Sequence, residues 1–348
     1  MTCLLCGSEY EQLKKNTHYL TDAIIRTALN PEGGNKRGTG LYWKFSTEKA
    51  GLKFGFQQST FDLKLEEALG RAPTKEEIAE AVEKTAFSVD DHFCKPCEDH
   101  FGEVEKPFTR DILPRFRETD LTEVHEIAIE EVRIFRVFFL MQILRSALCD
   151  ETFNLPEEVI VDLKNLILNF QTVDIAELTK YPLIITYLET TGGKEAYTEN
   201  QVGFAVNKDS QIILMNDFVI QFFEDPKDVK CVDFNGLNAP ENFDDFLNRD
   251  EDIFKVKVMN NEQRRDFLYP ARNIFSDRLV AFFQARHLRR FKQFASPKMV
   301  GLFMHKLSDV SVTIPTAERY SDERLEVIAN TILDKIALET AKHRYRRK

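Results

Sequence analysis

Four cysteines stand in two pairs, Cys3 with Cys6 and Cys94 with Cys97, each of the form Cys-x-x-Cys and separated by 87 residues. Two thiols on one tight turn supply half of a tetrahedral metal site. Two such pairs supply all of it, so the set predicts one shared structural Zn²⁺. Gly7, directly after the first pair, suits the turn of a zinc knuckle, and Pro96 lies inside the second pair. The competing readings are two unrelated reduced pairs, or redox chemistry. Redox chemistry is the weaker of these, because neither pair follows a strand and opens a helix within a βαβ unit. Three histidines accompany the cysteines: His18, twelve residues after Cys6, His92 just before the second pair, and His100, three residues after Cys97. An imidazole that titrates near neutrality suits general-base work, and suits an ordinary polar position equally well.

The elements that must position these groups can be read coarsely. A helix is predicted from Thr21 to Leu29, ended by Asn30-Pro31 and Gly33-Gly34. Residues 31–90 form an insert between the halves of the site. It holds two short strands, LYWKF and LKFGF, and a helix from Lys75 to Ala86 with Thr74 and Glu77 as its capping box. A helix carrying Asp99 and His100 should follow the second pair. Apolar periodicity predicts a long helix from Thr122 to Cys149, with Pro156 to Phe170 as its antiparallel neighbour. The period then changes to two. YPLIITYLET, QVGFAVN and QIILMNDFVIQFF read as strands of a small antiparallel sheet, with Asn207 to Ser210 as a hairpin turn. Helices return after Glu262, one of them capped by Ser276, and end with Asp322 to Arg344. This order predicts an α+β fold in two domains. Residues 1–110 form a zinc-binding module with 31–90 inserted, and residues 111–348 form a helical and antiparallel-sheet domain with basic C-terminal helices.

Composition narrows the class. With 43% hydrophobic and 30% charged residues the chain is that of a folded protein. No signal peptide is visible, and the most apolar run, Ile134 to Leu144, is short and interrupted by Arg136, which predicts a cytoplasmic protein without a membrane span. The net charge is −10, yet Asn261 to Lys348 holds eighteen Lys/Arg against ten Asp/Glu, a local balance of +8. That quarter is a candidate surface for an anionic partner. Within it, FFQARHLRRFKQF puts Phe283, His287, Phe291 and Phe294 on one helical face. Arg286, Arg289, Arg290 and Lys292 fall mostly on the other, as phosphate contacts or as a merely solvated side. The insert's NKRGTGLYWKF, with Trp43 beside Lys36, Arg37 and Lys44, has the same two readings, and its glycines match no phosphate-binding loop.

CLLCGSEYEQLKKNTHYLTDAIIRTAL followed by CKPCEDHFGEVEKPF resembles bacterial HNH-like proteins that carry a CxxC pair, a SHIIP-type motif and a second CxxC pair. The likeness is strong over residues 1–29 and 92–108, with NTHYLTD standing where that group carries SHIIPD. It implies a ββα-metal fold, a treble clef in which Cys3, Cys6, Cys94 and Cys97 hold a structural Zn²⁺. It also implies phosphodiester hydrolysis with His18 as general base and a Mg²⁺ or Mn²⁺ near Asp99 or His100. Proteins of this group are associated with bacterial defence against foreign DNA. Nucleases of this type carry Asp, Glu or His directly before the base, a position held here by Thr17. Two functions therefore stay open: an HNH-type endonuclease, or a non-catalytic zinc-stabilised module that binds nucleic acid or assembles with a protein partner in a larger complex.

Overall fold

Gly7 adopts φ +74°, a conformation that costs glycine little, and so closes the turn begun by the first cysteine pair. The chain then forms strand β1 (Thr17–His18) and helix α1 (Asp22–Ala28). Strands β2 (Leu41–Lys44) and β3 (Lys53–Phe56), both expected from their alternation, pair antiparallel. The structure, a computed structural model, describes residues 1–28, 41–44, 53–56, 74, 87–150, 153–189, 202–207, 210–225, 227, 229–249, 252–307 and 322–345. The helix predicted over Lys75 to Ala86 lies outside these residues. The chain returns as β4 (Ser88–Val89), which pairs antiparallel with β1. The Tyr19 amide donates to the Phe87 carbonyl at 2.8 Å, so the two ends of the intervening span are tied together.

Helix α2 (Lys95–Pro107) follows at once, passes through one π-helical turn (Phe108–Ile112) and continues as α3 (Leu113–Arg117). Pro107 has no N–H for the helical ladder, and the widened turn begins directly after it. The turn buries Phe108 face to face with Phe138, ring centroids 3.6 Å apart.

The next segment departs from the helix predicted over Thr122 to Cys149. Strand β5 (Glu126–Ile129) comes first, and helix α4 starts only at Val132 and runs to Cys149. Glu126 to Ile129 reads as helical by spacing alone, but its backbone is paired by a distant strand. Helix α4 is predominantly apolar and is buried at every residue from Phe135 to Ser146, the polar Arg136, Gln142, Arg145 and Ser146 included. Arg136 donates from Nη1 to the carbonyls of Leu178 and Tyr181, both at 3.1 Å, and lies over the Phe254 ring. Burial lowers its guanidinium to about 10, which leaves it charged at neutral pH. Helix α5 (Glu157–Leu168) packs on α4, and α6 (Ile175–Leu178) leads to the sheet.

Strands β6 (Leu183–Leu188), β7 (Val202–Asn207), β8 (Ser210–Met215) and β9 (Phe218–Phe222) match the predicted period-two segments. Asn207 pairs with Ser210, as the hairpin requires, while residues 208–209 of the turn lie outside those described. The sheet itself is larger than the small antiparallel one expected. Strand β10 (Phe254–Met259) joins it parallel to β6 and antiparallel to β5, giving six strands in the order β5-β10-β6-β9-β8-β7. Both faces are buried. Ile213, Met215, Phe218 and Ile220 join the core shared with α4, while Ile212, Leu214 and Val219 pack with Leu237, Phe267 and Leu268.

Two compact units result, Met1–Leu268 and Tyr269–Lys348, with the division falling inside helix α7 (Asn261–Phe291). Residue 110, the module boundary expected from the sequence, lies inside the first unit, whose main core runs from Cys3 to Val258. Ser276, expected as a cap, is interior to α7. The second unit adds α8 (Pro297–Leu307) and α9 (Asp322–Tyr345). Leu325, Ile328, Ala329, Ile332 and Leu333 of α9 are buried at helical spacing, and Phe283 stacks on Phe303 at 4.7 Å. No described helix is long and apolar enough to cross a membrane.

Candidate metal centre

The four cysteine Sγ atoms lie within 4.8 Å of one another. Thiolates about 2.3 Å from a tetrahedral Zn²⁺ stand about 3.8 Å apart, and the Cys6 and Cys94 sulfurs are separated by 3.9 Å. A disulfide needs about 2.0 Å, and all four residues are free cysteines. The geometry is that of a ligand set compatible with structural zinc. Among the described residues it is the only group of three or more His, Cys, Asp or Glu side chains spaced to share an ion.

Local structure explains how pairs so far apart in sequence meet. The amides of Leu4 and Lys14 donate to the carbonyls of His92 and Phe93, both at 2.9 Å, which stitches the first turn to the segment before α2. Cys94 is the N-cap of α2 and Cys97 lies in its first turn, where the helix dipole favours anionic sulfur. The Cys94 amide donates to Cys3 Sγ at 3.3 Å. Burial raises the thiols of Cys3 and Cys97. At Cys6 burial also opposes ionisation, but hydrogen bonds with Ser8, Cys3 and Cys97 together outweigh it and lower this thiol to about 6. Buried sulfurs of this kind call for a cation to hold them as thiolates.

Thiolate ligands must shed protons to bind a metal, so binding is favoured at neutral pH and opposed by acid. Zinc is therefore expected to stay bound at neutral pH and to be released progressively on acidification, as followed with a colorimetric zinc indicator. Release that is independent of pH would contradict thiolate ligation.

Comparison of the chain with protein-family models, with curated proteins and with solved structures finds no match.

The other predicted residues are distributed differently. His18 ends β1, and its Nε2 lies 3.6 Å from Asp22 Oδ1 at the start of α1, the two side chains being 15% and 14% exposed. Thr17 is buried, and its hydroxyl has no hydrogen-bond partner among the described residues. Asp99 is exposed, and both its oxygens accept from Lys95 Nζ, at 2.9 and 2.8 Å. His100 donates from Nε2 to the Ile167 carbonyl at 2.9 Å and packs against Phe170. Neither Asp99 nor His100 forms a shared ligand cluster with His18. The carboxylate beside the candidate base is Asp22, four residues on.

Sequence reasoning also missed what holds the His18–Asp22 stretch in place. Gln142 of α4 accepts from the Thr21 amide at 2.9 Å and donates to the Thr21 hydroxyl at 2.8 Å. That hydroxyl donates to Glu105 of α2 at 2.8 Å, and Arg145 donates to the same carboxylate at 2.7 Å. The available signal was the presence of Gln142 and Arg145 in an otherwise apolar helix.

In the second unit the basic residues divide. Arg286 pairs with Glu326 of α9 and stacks on Phe282, and Arg290 pairs with Asp334 at 2.7 Å. Arg289 and Lys292 are exposed. The predicted aromatic face holds for Phe283 and His287 but not for Phe294, which is 70% exposed. Helix α7 ends at Phe291 and Lys292 turns the chain at φ +59°, so the helical spacing does not extend to Phe294.

Proposed function

We propose that residues 1–110 form a zinc-stabilised treble-clef module of the HNH type, and that the protein hydrolyses phosphodiester bonds in nucleic acid with His18 as general base. The observation that carries this reading is the position of His18. It is the last residue of β1, the partner strand β4 leads into the helix that bears Cys94 and Cys97, and Asp22 lies beside its Nε2. A knuckle, two paired strands and a helix that opens on the second ligand pair is the element order a treble clef requires. Beside a base, a carboxylate holds the imidazole in orientation and balances the charge it gains on accepting a proton.

Reactions of this class use a divalent ion to offset charge on the phosphate. Asp22 is the side chain here suited to serve near His18, whereas Asp99 is tied to Lys95.

Purified protein incubated with plasmid, single-stranded DNA or RNA, in Mg²⁺, Mn²⁺ or EDTA, is expected to cleave in a metal-dependent way. His18→Ala should lower the rate by about 10²–10⁴-fold, the range for removing a general base. Cleavage that survives the substitution unchanged would remove His18 from this role.

A second reading is favoured by Thr17, a buried hydroxyl where a metal ligand is wanted. In it the module is non-catalytic and binds nucleic acid or a protein partner. Salt-sensitive binding without cleavage under any metal would select it.

A further inference from the structure

Residues 279–308 contain six Lys or Arg and no Asp or Glu. Two of the six, Arg286 and Arg290, are neutralised by Glu326 and Asp334. Arg289, Lys292 and Lys298 are exposed. Phe294 lies among them in sequence, and at 70% it is the most exposed large hydrophobic side chain of the described residues.

The turn bearing this ring is braced on both sides. His287 Nδ1 donates to the Gln293 carbonyl at 2.7 Å. Gln284 donates to the Ala295 carbonyl at 3.0 Å and accepts from the Ala295 amide at 2.6 Å. The residues before and after Phe294 are thus both fastened to α7, and the ring is presented to solvent from a fixed backbone. Little of its binding potential is lost to ordering a loose loop.

We propose that Phe294, with Arg289, Lys292 and Lys298, is a stacking platform for single-stranded nucleic acid. The inference rests on the nucleic-acid reading above and names the substrate form it favours. Lys292 and Lys298, with no carboxylate in this stretch of chain, together with Arg289, which also faces Glu326 of α9, complement a phosphate backbone. A lone aromatic face takes an unpaired base, whereas the bases of a duplex already stack on one another. Leu288 and Leu302, the other exposed large apolar side chains of this stretch, are 38% and 41% exposed against 70% for Phe294, so the ring stands out as one aromatic face and a lipid surface is the alternative the test must exclude.

The test is fluorescence anisotropy on the full chain with a labelled single strand, a duplex of equal length and anionic lipid vesicles, without divalent metal. Single-strand binding is expected, and Phe294→Ala should weaken it by about tenfold while leaving duplex binding nearly unchanged. Phe294→Trp should retain affinity, and the added indole should be quenched by the oligonucleotide. Lys292→Gln should flatten the salt dependence by about 0.7 in log–log slope. Unchanged single-strand affinity in Phe294→Ala would overturn the platform and leave the nucleic-acid reading standing. Absence of binding to either nucleic acid would overturn both. Vesicle binding that depends on Phe294, in place of single-strand binding, would overturn it in favour of a membrane surface. Because the ring is exposed, these substitutions do not threaten the core.

Discussion

Cys94→Ala is expected to abolish stoichiometric zinc and to lower the thermal midpoint of the protein by tens of degrees, at about 2–4 °C per kcal/mol lost. Cys94 is fully buried at the N-cap position of α2, and its sulfur lies 3.9 Å from that of Cys6. Structural zinc sites contribute about 10–16 kcal/mol of apparent binding free energy, comparable with the whole stability of a typical domain. With one ligand gone, Cys3, Cys6 and Cys97 would surround a poorly held ion, or three thiols with no cation to balance them. Cys149→Ala is the matched control, because Cys149 lies outside the cluster and should leave zinc content at its parental value. Elemental analysis and a circular-dichroism melt read both quantities. Full zinc occupancy in Cys94→Ala would show that this residue is not a ligand.

The second large effect concerns an ion pair that is no part of the cysteine cluster. Arg117, at the end of α3, donates from Nε and Nη2 to Asp217 at 2.6 and 3.0 Å, and also to the carbonyls of Ala23 and Ile24 in α1. Asp217 is 1% exposed in the turn between β8 and β9. Removing one partner of a buried pair leaves the other charge without compensation, which costs about 3–5 kcal/mol. Arg117→Ala is expected to lose that much stability in urea unfolding. Adding Asp217→Asn to it should restore a large part, because the stranded charge is then gone. A double variant as unstable as the single one would show that packing, and not charge, sets the loss.

What could be read in advance follows the range of the interactions involved. The strands from Leu183 to Phe222 were legible because each is defined by its own alternation and its turns. Strand β5 was not, because Glu126 to Ile129 becomes a strand through pairing with Phe254 to Lys257, more than a hundred residues later. The cysteines were legible because their chemistry is written in two short pairs. The relation of His18 to Asp22 was not, since it depends on β1 ending at His18 and α1 beginning at Asp22. Likewise the arginines of α7 look available in a local window. Their partners Glu326 and Asp334 arrive about forty residues on, in α9.

The span from Tyr19 to Phe87 leaves the metal centre and returns to it with both ends fastened, by the pairing of β1 with β4 and by the hydrogen bond between Tyr19 and Phe87. The entropy of closing such a loop grows only logarithmically, so doubling its length adds about 0.6 kcal/mol. The centre is therefore nearly indifferent to how much chain is threaded between its halves. In evolutionary terms this makes the span a cassette: its contents can be exchanged, shortened or enlarged while the ligands and the candidate base keep their places.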